Sequence, residues 1–176
     1  MSDRKKLQNA IFAITCAVYL AVLLRALFFK LVPIGEIFDV GERLRALNLI
    51  PFGGSAYLHA VKKDVVINTV LFAPLGFLLA MRSKGKSRRP LLLFAALAAS
   101  VLTEALQYLL ALGVADITDV ISNTVGAALG FALYDITSKI FKGSAKLDSF
   151  YYCAMLCVCC VVIACIVVGN WHRLTT

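Results

Sequence analysis

Five long stretches of the chain are almost free of charge: Ile11–Phe29, Val65–Met81, Leu91–Leu112, Val120–Ile136 and Phe150–Val168. Each is close to the ~17–25 residues with which a helix spans ~30 Å of hydrocarbon, so the pattern predicts five transmembrane helices. One connection departs from it. The segment from Lys30 to Asp64 is far longer than an ordinary link, and its apolar content argues against disorder. Within it, Gly35 to Asn48 can form an interfacial helix, with Ile37, Leu44 and Leu47 toward lipid and Glu36, Arg43 and Arg45 toward water. The following Leu49-Ile50-Pro51-Phe52-Gly53-Gly54 breaks that helix: Pro51 disfavours helix at Ile50, and the two glycines free the backbone.

Composition supports this pattern. Of 176 residues, 61% are hydrophobic and only 16% charged, which lies outside soluble usage and leaves no room for a separate soluble domain. The expected fold is a single all-α membrane domain over residues 1–176, a bundle of about five transmembrane helices. The first apolar segment follows Arg4, Lys5 and Lys6 as a secretory signal does, but its length and the lack of a small-x-small site after it indicate a retained anchor. Cys16 falls in the first helix and the other five cysteines in the last, so they read as small packing residues rather than a disulfide framework.

Basic residues orient the bundle. With the N-terminus cytoplasmic, eleven Lys and Arg lie inside, in groups around Lys5, Lys86 and Lys142, against six outside. Five crossings then leave the C-terminus extracytoplasmic. The net charge of +8 reads as topology and contact with anionic lipid, with no basic-aromatic surface of the kind that binds nucleic acid.

In this topology the polar residues of the helices collect toward the outer face. Arg25 stands one turn before the end of the first helix, and Asn68 one turn into the second. Glu104 and Gln107 share a face of the third, with Ser100 a turn deeper, and Asp116, Asp119 and Asn123 open the fourth. A carboxylate at membrane depth costs at least ~2.5 kcal/mol, so Glu104 needs a partner; Arg25 is the expected one, with Asn68, Gln107 and Asn123 nearby. Either Asp116 or Asp119 can cap the fourth helix. Ser122, Gly126 and Gly130 make a small-residue stripe for close helix approach, within the chain or in a homodimer. Pro74 and Gly76 predict a kink in the second helix.

Four blocks resemble, in order and spacing, the motifs of the VanZ family: Leu47-Asn48-Leu49-Ile50-Pro51-Phe52; Asp64 to Asn68 leading to Phe72-Ala73-Pro74-Leu75-Gly76; Thr103-Glu104-Ala105-Leu106-Gln107-Tyr108; and Ala115 to Gly126. The resemblance runs from about residue 10 to 135. It implies a multi-pass protein of the bacterial cytoplasmic membrane, associated with resistance to teicoplanin and lipidated glycopeptides. It also carries Asn48, Pro51, Phe52, Asn68, Pro74, Gly76, Glu104, Gln107, Asp116, Asp119, Asn123 and Gly126 over as motif residues.

Three functions fit these observations. A non-enzymatic binding site made of Arg25, Asn48, Asn68, Glu104, Gln107, Asp116, Asp119 and Asn123 can hold a membrane lipid, a lipid-linked cell-wall precursor or a lipoglycopeptide, without metal or cofactor. An enzyme acting on a lipid-linked substrate would use Glu104 as base, or Asp116 and Asp119 on a divalent metal. The chain has neither an H-E-x-x-H pair nor a G-x-S-x-G, and His59 and His172 are its two histidines. A small transporter or flippase would need to dimerise, since five helices are few for alternating access.

Overall fold

The computed structural model describes residues 2–28, 46–52, 58–83, 88–111, 114–141, 151–154, 156 and 160. Four helices cover most of them: α1 (Ser2–Phe28), α2 (Leu58–Ser83), α3 (Arg89–Leu109) and α4 (Ile117–Ile140). Among the described residues these four are long and apolar enough to cross a membrane. The fifth segment, Phe150–Val168, lies for the most part outside them.

Two compact units are present: Met1–Ala26 with Phe141–Thr176, and Leu27–Ile140. In the first, Thr15, Tyr19, Val22 and Leu23 make a buried stripe along α1. The Thr15 hydroxyl donates back to the Ile11 carbonyl, which satisfies it within its own helix. Phe12 meets the ring of Tyr152 edge to face at 5.7 Å.

The second unit is built on the pairing of α2 with α4. Gly126 abuts Thr69 and Phe72, Gly130 abuts Ala73 and Phe77, and Gly76 abuts Ala127, so the two helices run in the same direction. Each glycine faces a backbone carbonyl, the approach that small residues permit where lipid supplies no hydrophobic drive. The stripe foreseen for α4 is thus filled by α2 of the same chain, and a homodimer would have to use another face. Helix α2 runs on through Pro74, and Gly76 lies against Ala127 of α4.

Helix α3 returns antiparallel to α4, joined to it at three levels. Glu104 lies near one end, Asn123 Nδ2 donates to Ser100 Oγ at 2.8 Å in the middle, and Arg89 meets Asp135 at 2.8 Å at the other end. The Arg89 guanidinium also stacks over Phe131 and Tyr134, at 5.3 and 5.7 Å from their centroids. Its buried face reads Ala96, Ser100, Glu104, while Leu91, Phe94, Val101, Leu102 and Leu109 are exposed. Polarity inside and apolar surface outside is the arrangement that lipid solvent favours and water does not.

Two short strands depart from the all-α expectation. β1 (Ala46–Asn48) and β2 (Val114–Asp116) pair in parallel, Ala46 with Val114, Leu47 with Ala115 and Asn48 with Asp116. The end of the interfacial helix expected over Gly35 to Asn48 is therefore strand; the rest of that segment lies outside the described residues. Helical spacing at Leu44 and Leu47 suggested otherwise, but Leu47 has a partner strand that no local pattern reveals.

A methyl on Gly76, Gly126 or Gly130 would overlap a backbone carbonyl of the facing helix. Each Gly→Ala change is expected to destabilise the detergent-solubilised protein by about 1–3 kcal/mol. Ala132→Leu on the exposed face of α4 should stay within about 0.5 kcal/mol, both read by thermal melts.

Candidate functional site

The α3–α4 hairpin and β1 converge where α4 begins. A helix start leaves backbone N–H groups unpaired, and within an apolar layer they need acceptors from the protein. Asp116 supplies one: its Oδ1 accepts the Thr118 N–H at 2.7 Å, the bond of an N-cap. Its Oδ2 accepts from Asn48 Nδ2 at 3.0 Å, which ties β1 to β2 through side chains as well as backbone. Both oxygens of Asp116 are therefore acceptors, the pattern of a carboxylate.

Glu104 closes the arrangement. It is only 6% exposed, and its Oε2 accepts the backbone N–H of Asp116 at 3.0 Å. The apolar run suggests a third helix continuing to Leu112. That helix stops at Leu109, where Ala111 turns into the left-handed region at φ 52° and donates to the Tyr108 carbonyl. Glu104 therefore sits about 7 Å from the end of α3, level with the strands. Two carboxyl groups at the start of α4 also suit the positive end of its macrodipole.

Asn48 shapes the segment that follows. Its Oδ1 accepts the Ile50 N–H at 3.2 Å in an Asx-turn, and Pro51 leads to Phe52 at φ 54°. A bulky side chain in that region is a strained backbone position, held here by the Phe52 N–H donating to Thr118 Oγ1 at 3.1 Å. Gly53 and Gly54, expected to free the backbone here, lie outside the described residues. Thr118 also has a part the sequence did not suggest, clasping the turn one residue after the helix start. The clue lay in a hydroxyl at the second helical position beside a capping aspartate.

The other candidate residues fall around this node. Asn123 is fully buried and reaches Ser100, one turn below Glu104; its Oδ1 has no partner among the described residues. Asn68 is likewise buried on α2, with Nδ2 unpartnered among the described residues. Gln107 Nε2 donates to the Leu27 carbonyl at 2.8 Å, which satisfies the end of α1 rather than joining Glu104. Asp119 lies in the first turn of α4, and the capping carboxyl is that of Asp116. Arg25 stands in the last turn of α1, in the other unit. At this site Glu104 accepts the Asp116 N–H.

Beside the node a groove of about 250 Å³ opens between α3, the strands and the start of α4. Val101, Glu104, Ala105 and Tyr108 line it from one face of α3, Leu47 and Leu49 from β1 and its turn, and Ala115 to Ile117 with Val120 from the other side. Its accessible surface is almost wholly apolar, although Glu104, Asp116 and Tyr108 are among the residues that line it.

The fold and the node together define a class: a helical membrane protein with a carboxyl-lined site where its third and fourth helices meet a small parallel sheet. The family model described as VanZ/LLP1 matches residues 16–138, which span all of these elements. The chain belongs to the VanZ family. It is 36% identical over 133 residues to Protein VanZ of Enterococcus faecium, covering 75% of this chain and 78% of that one. No solved structure matches it.

Exchanging Asn48 and Asp116 keeps every hydrogen bond of the node, whereas Asn48→Asp alone opposes two carboxylates and Asp116→Asn alone forfeits an acceptor. The double variant is expected to melt near the parent, and a double-mutant cycle to give a coupling of roughly 0.5–3 kcal/mol. Glu104→Gln keeps an acceptor for the Asp116 N–H and should cost less than Glu104→Leu. Glu104→Leu leaves that N–H unpaired and should cost about 1–3 kcal/mol in the same melts.

Proposed function

We propose that the chain works in the bacterial cytoplasmic membrane, its strand-bearing end facing outward, and lowers susceptibility to teicoplanin and related lipidated glycopeptides. It does so without catalysis, by holding a lipidic or cell-wall-linked molecule at the groove beside Asp116 and Glu104 and so reducing drug access to the surface target.

The observation that carries this reading is the groove itself. It is open and its accessible surface is almost wholly apolar, which suits the hydrocarbon part of a lipidic ligand. Two further features support it. Asp116 accepts from Asn48 on one oxygen and from the Thr118 N–H on the other, an arrangement for rigid placement. Family membership supplies the link to glycopeptide resistance, and the excess of basic residues at the opposite end of the helices supports the outward orientation.

Expression of the chain in a susceptible Gram-positive host is expected to raise the inhibitory concentration of teicoplanin while leaving that of tail-less vancomycin unchanged. Filling the groove with Val101→Trp should abolish the effect with the protein still present in the membrane. Equal protection against both drugs would overturn the proposal.

A further inference from the structure

The turn that follows β1 is built for lipid rather than for water. We infer that Leu49 to Phe52 forms a wedge that inserts into the bilayer leaflet at the strand-bearing end of the helices, its side chains lodged at the boundary between acyl chains and headgroups. Such an anchor stands whatever molecule the groove holds.

The side chains supply the first reason. Leu49, Ile50 and Phe52 are 65%, 68% and 52% exposed, and Leu47 and Pro51 are exposed with them. Residues 46–58 carry no charge. Asn48 is the one polar side chain from Leu47 to Phe52, and it is engaged with Asp116 and the Ile50 N–H. The side chains that the turn exposes are therefore all hydrocarbon, a patch that marks contact with a partner or a membrane.

The backbone supplies the second. A segment that enters an apolar layer must satisfy its own donors, because lipid offers no acceptor in place of water. Here the Ile50 N–H donates to Asn48 Oδ1, Pro51 has no N–H, and the Phe52 N–H donates to Thr118 Oγ1. From Ile50 to Phe52 every donor is met within the protein. The last of these bonds also holds Phe52 at φ 54°, a costly conformation for a bulky residue and one retained where the side chain it presents has a use.

Depth follows from the same contacts. Thr118 is the second residue of α4, so its bond to Phe52 sets the turn beside the first turn of that helix. At ~1.5 Å per residue the 21 residues of α3 span about 31 Å, close to the thickness of a hydrocarbon layer, and Glu104 near the end of α3 meets β2. The turn is thus level with the edge of that layer. Exposed Leu109 and Leu110 at the end of α3 and exposed Val114 on β2 carry the apolar surface of the helices up to this level. The occupant of the turn's outer side is therefore the same lipid that covers α3.

The test measures depth by fluorescence. Trp171 is the chain's one tryptophan; in a Trp171→Phe background, Ile50→Trp and Phe52→Trp each place a lone fluorophore in the turn. Leu102→Trp, on the exposed side of α3 about 10 Å from its end, is the deep reference. The full-length variants are placed in phosphatidylcholine nanodiscs, which leave both faces open to water, with lipid brominated either near the headgroup or toward the chain ends; iodide is the aqueous quencher. Shallow bromines are expected to remove most of the emission of both turn variants, deep bromines much less and iodide hardly any, whereas Leu102→Trp should respond more to deep bromines than to shallow ones. Ile50→Trp decides the question where Phe52→Trp, at the strained position, fails to fold. Quenching by iodide without a response to brominated lipid places the turn in water and overturns the wedge. Emission that neither quencher reaches places the turn under protein and overturns it equally.

Discussion

The start of α4 is the constraint on which the rest of the second unit depends. A helix start leaves backbone N–H groups in need of acceptors, and the chain answers with carboxyl groups from two places. Asp116 caps from within the connection, and Glu104 reaches across from α3 to the N–H of Asp116 itself. Once these are in place, β2 is fixed in direction, and Asn48 has a rigid acceptor against which β1 can align. The short sheet, the turn at Phe52 and the groove are consequences of that one requirement.

Below the node the packing obeys a different rule. Helices α2 and α4 touch through glycines and carbonyls, a contact in which shape rather than apolar area sets the energy. The buried groups between the helices are largely small or polar: Thr118, Ser122, Asn123, Gly126 and Gly130 on α4, Ser100 and Glu104 on α3. Arg89 with Asp135, Phe131 and Tyr134 fastens the opposite end of the hairpin. Thus α3 is fastened to α4 at both ends by charged groups and held in the middle by an amide and a hydroxyl.

The helices were legible in the sequence because apolar runs of membrane length have few alternatives, and Asp116 was legible as a possible cap because aspartate before such a run has a known use. Their ends were less so. Apolar residues continue past Leu109, yet the chain turns at Ala111, and α2 starts at Leu58, before the polar run of Lys62, Lys63 and Asp64 that suggested a later start. The strands were not legible at all. Three residues are too few for an alternating pattern, and the partners Asn48 and Asp116 stand 68 positions apart. Glu104 was singled out as a group in need of partners; that it would accept the Asp116 backbone N–H depended on long-range geometry.

The parallel run of α2 and α4 has a consequence for how the protein is made. The two helices that fit each other best are separated by α3, so α2 enters the membrane with the face around Thr69, Ala73 and Gly76 lacking its eventual neighbour. Assembly of this unit must wait for the whole α3–α4 hairpin to be inserted, and until then α2 is a ready partner for any other helix with a small-residue face. Biogenesis of such a chain favours either rapid delivery of its later segments or a companion in the insertion machinery that shields α2 meanwhile.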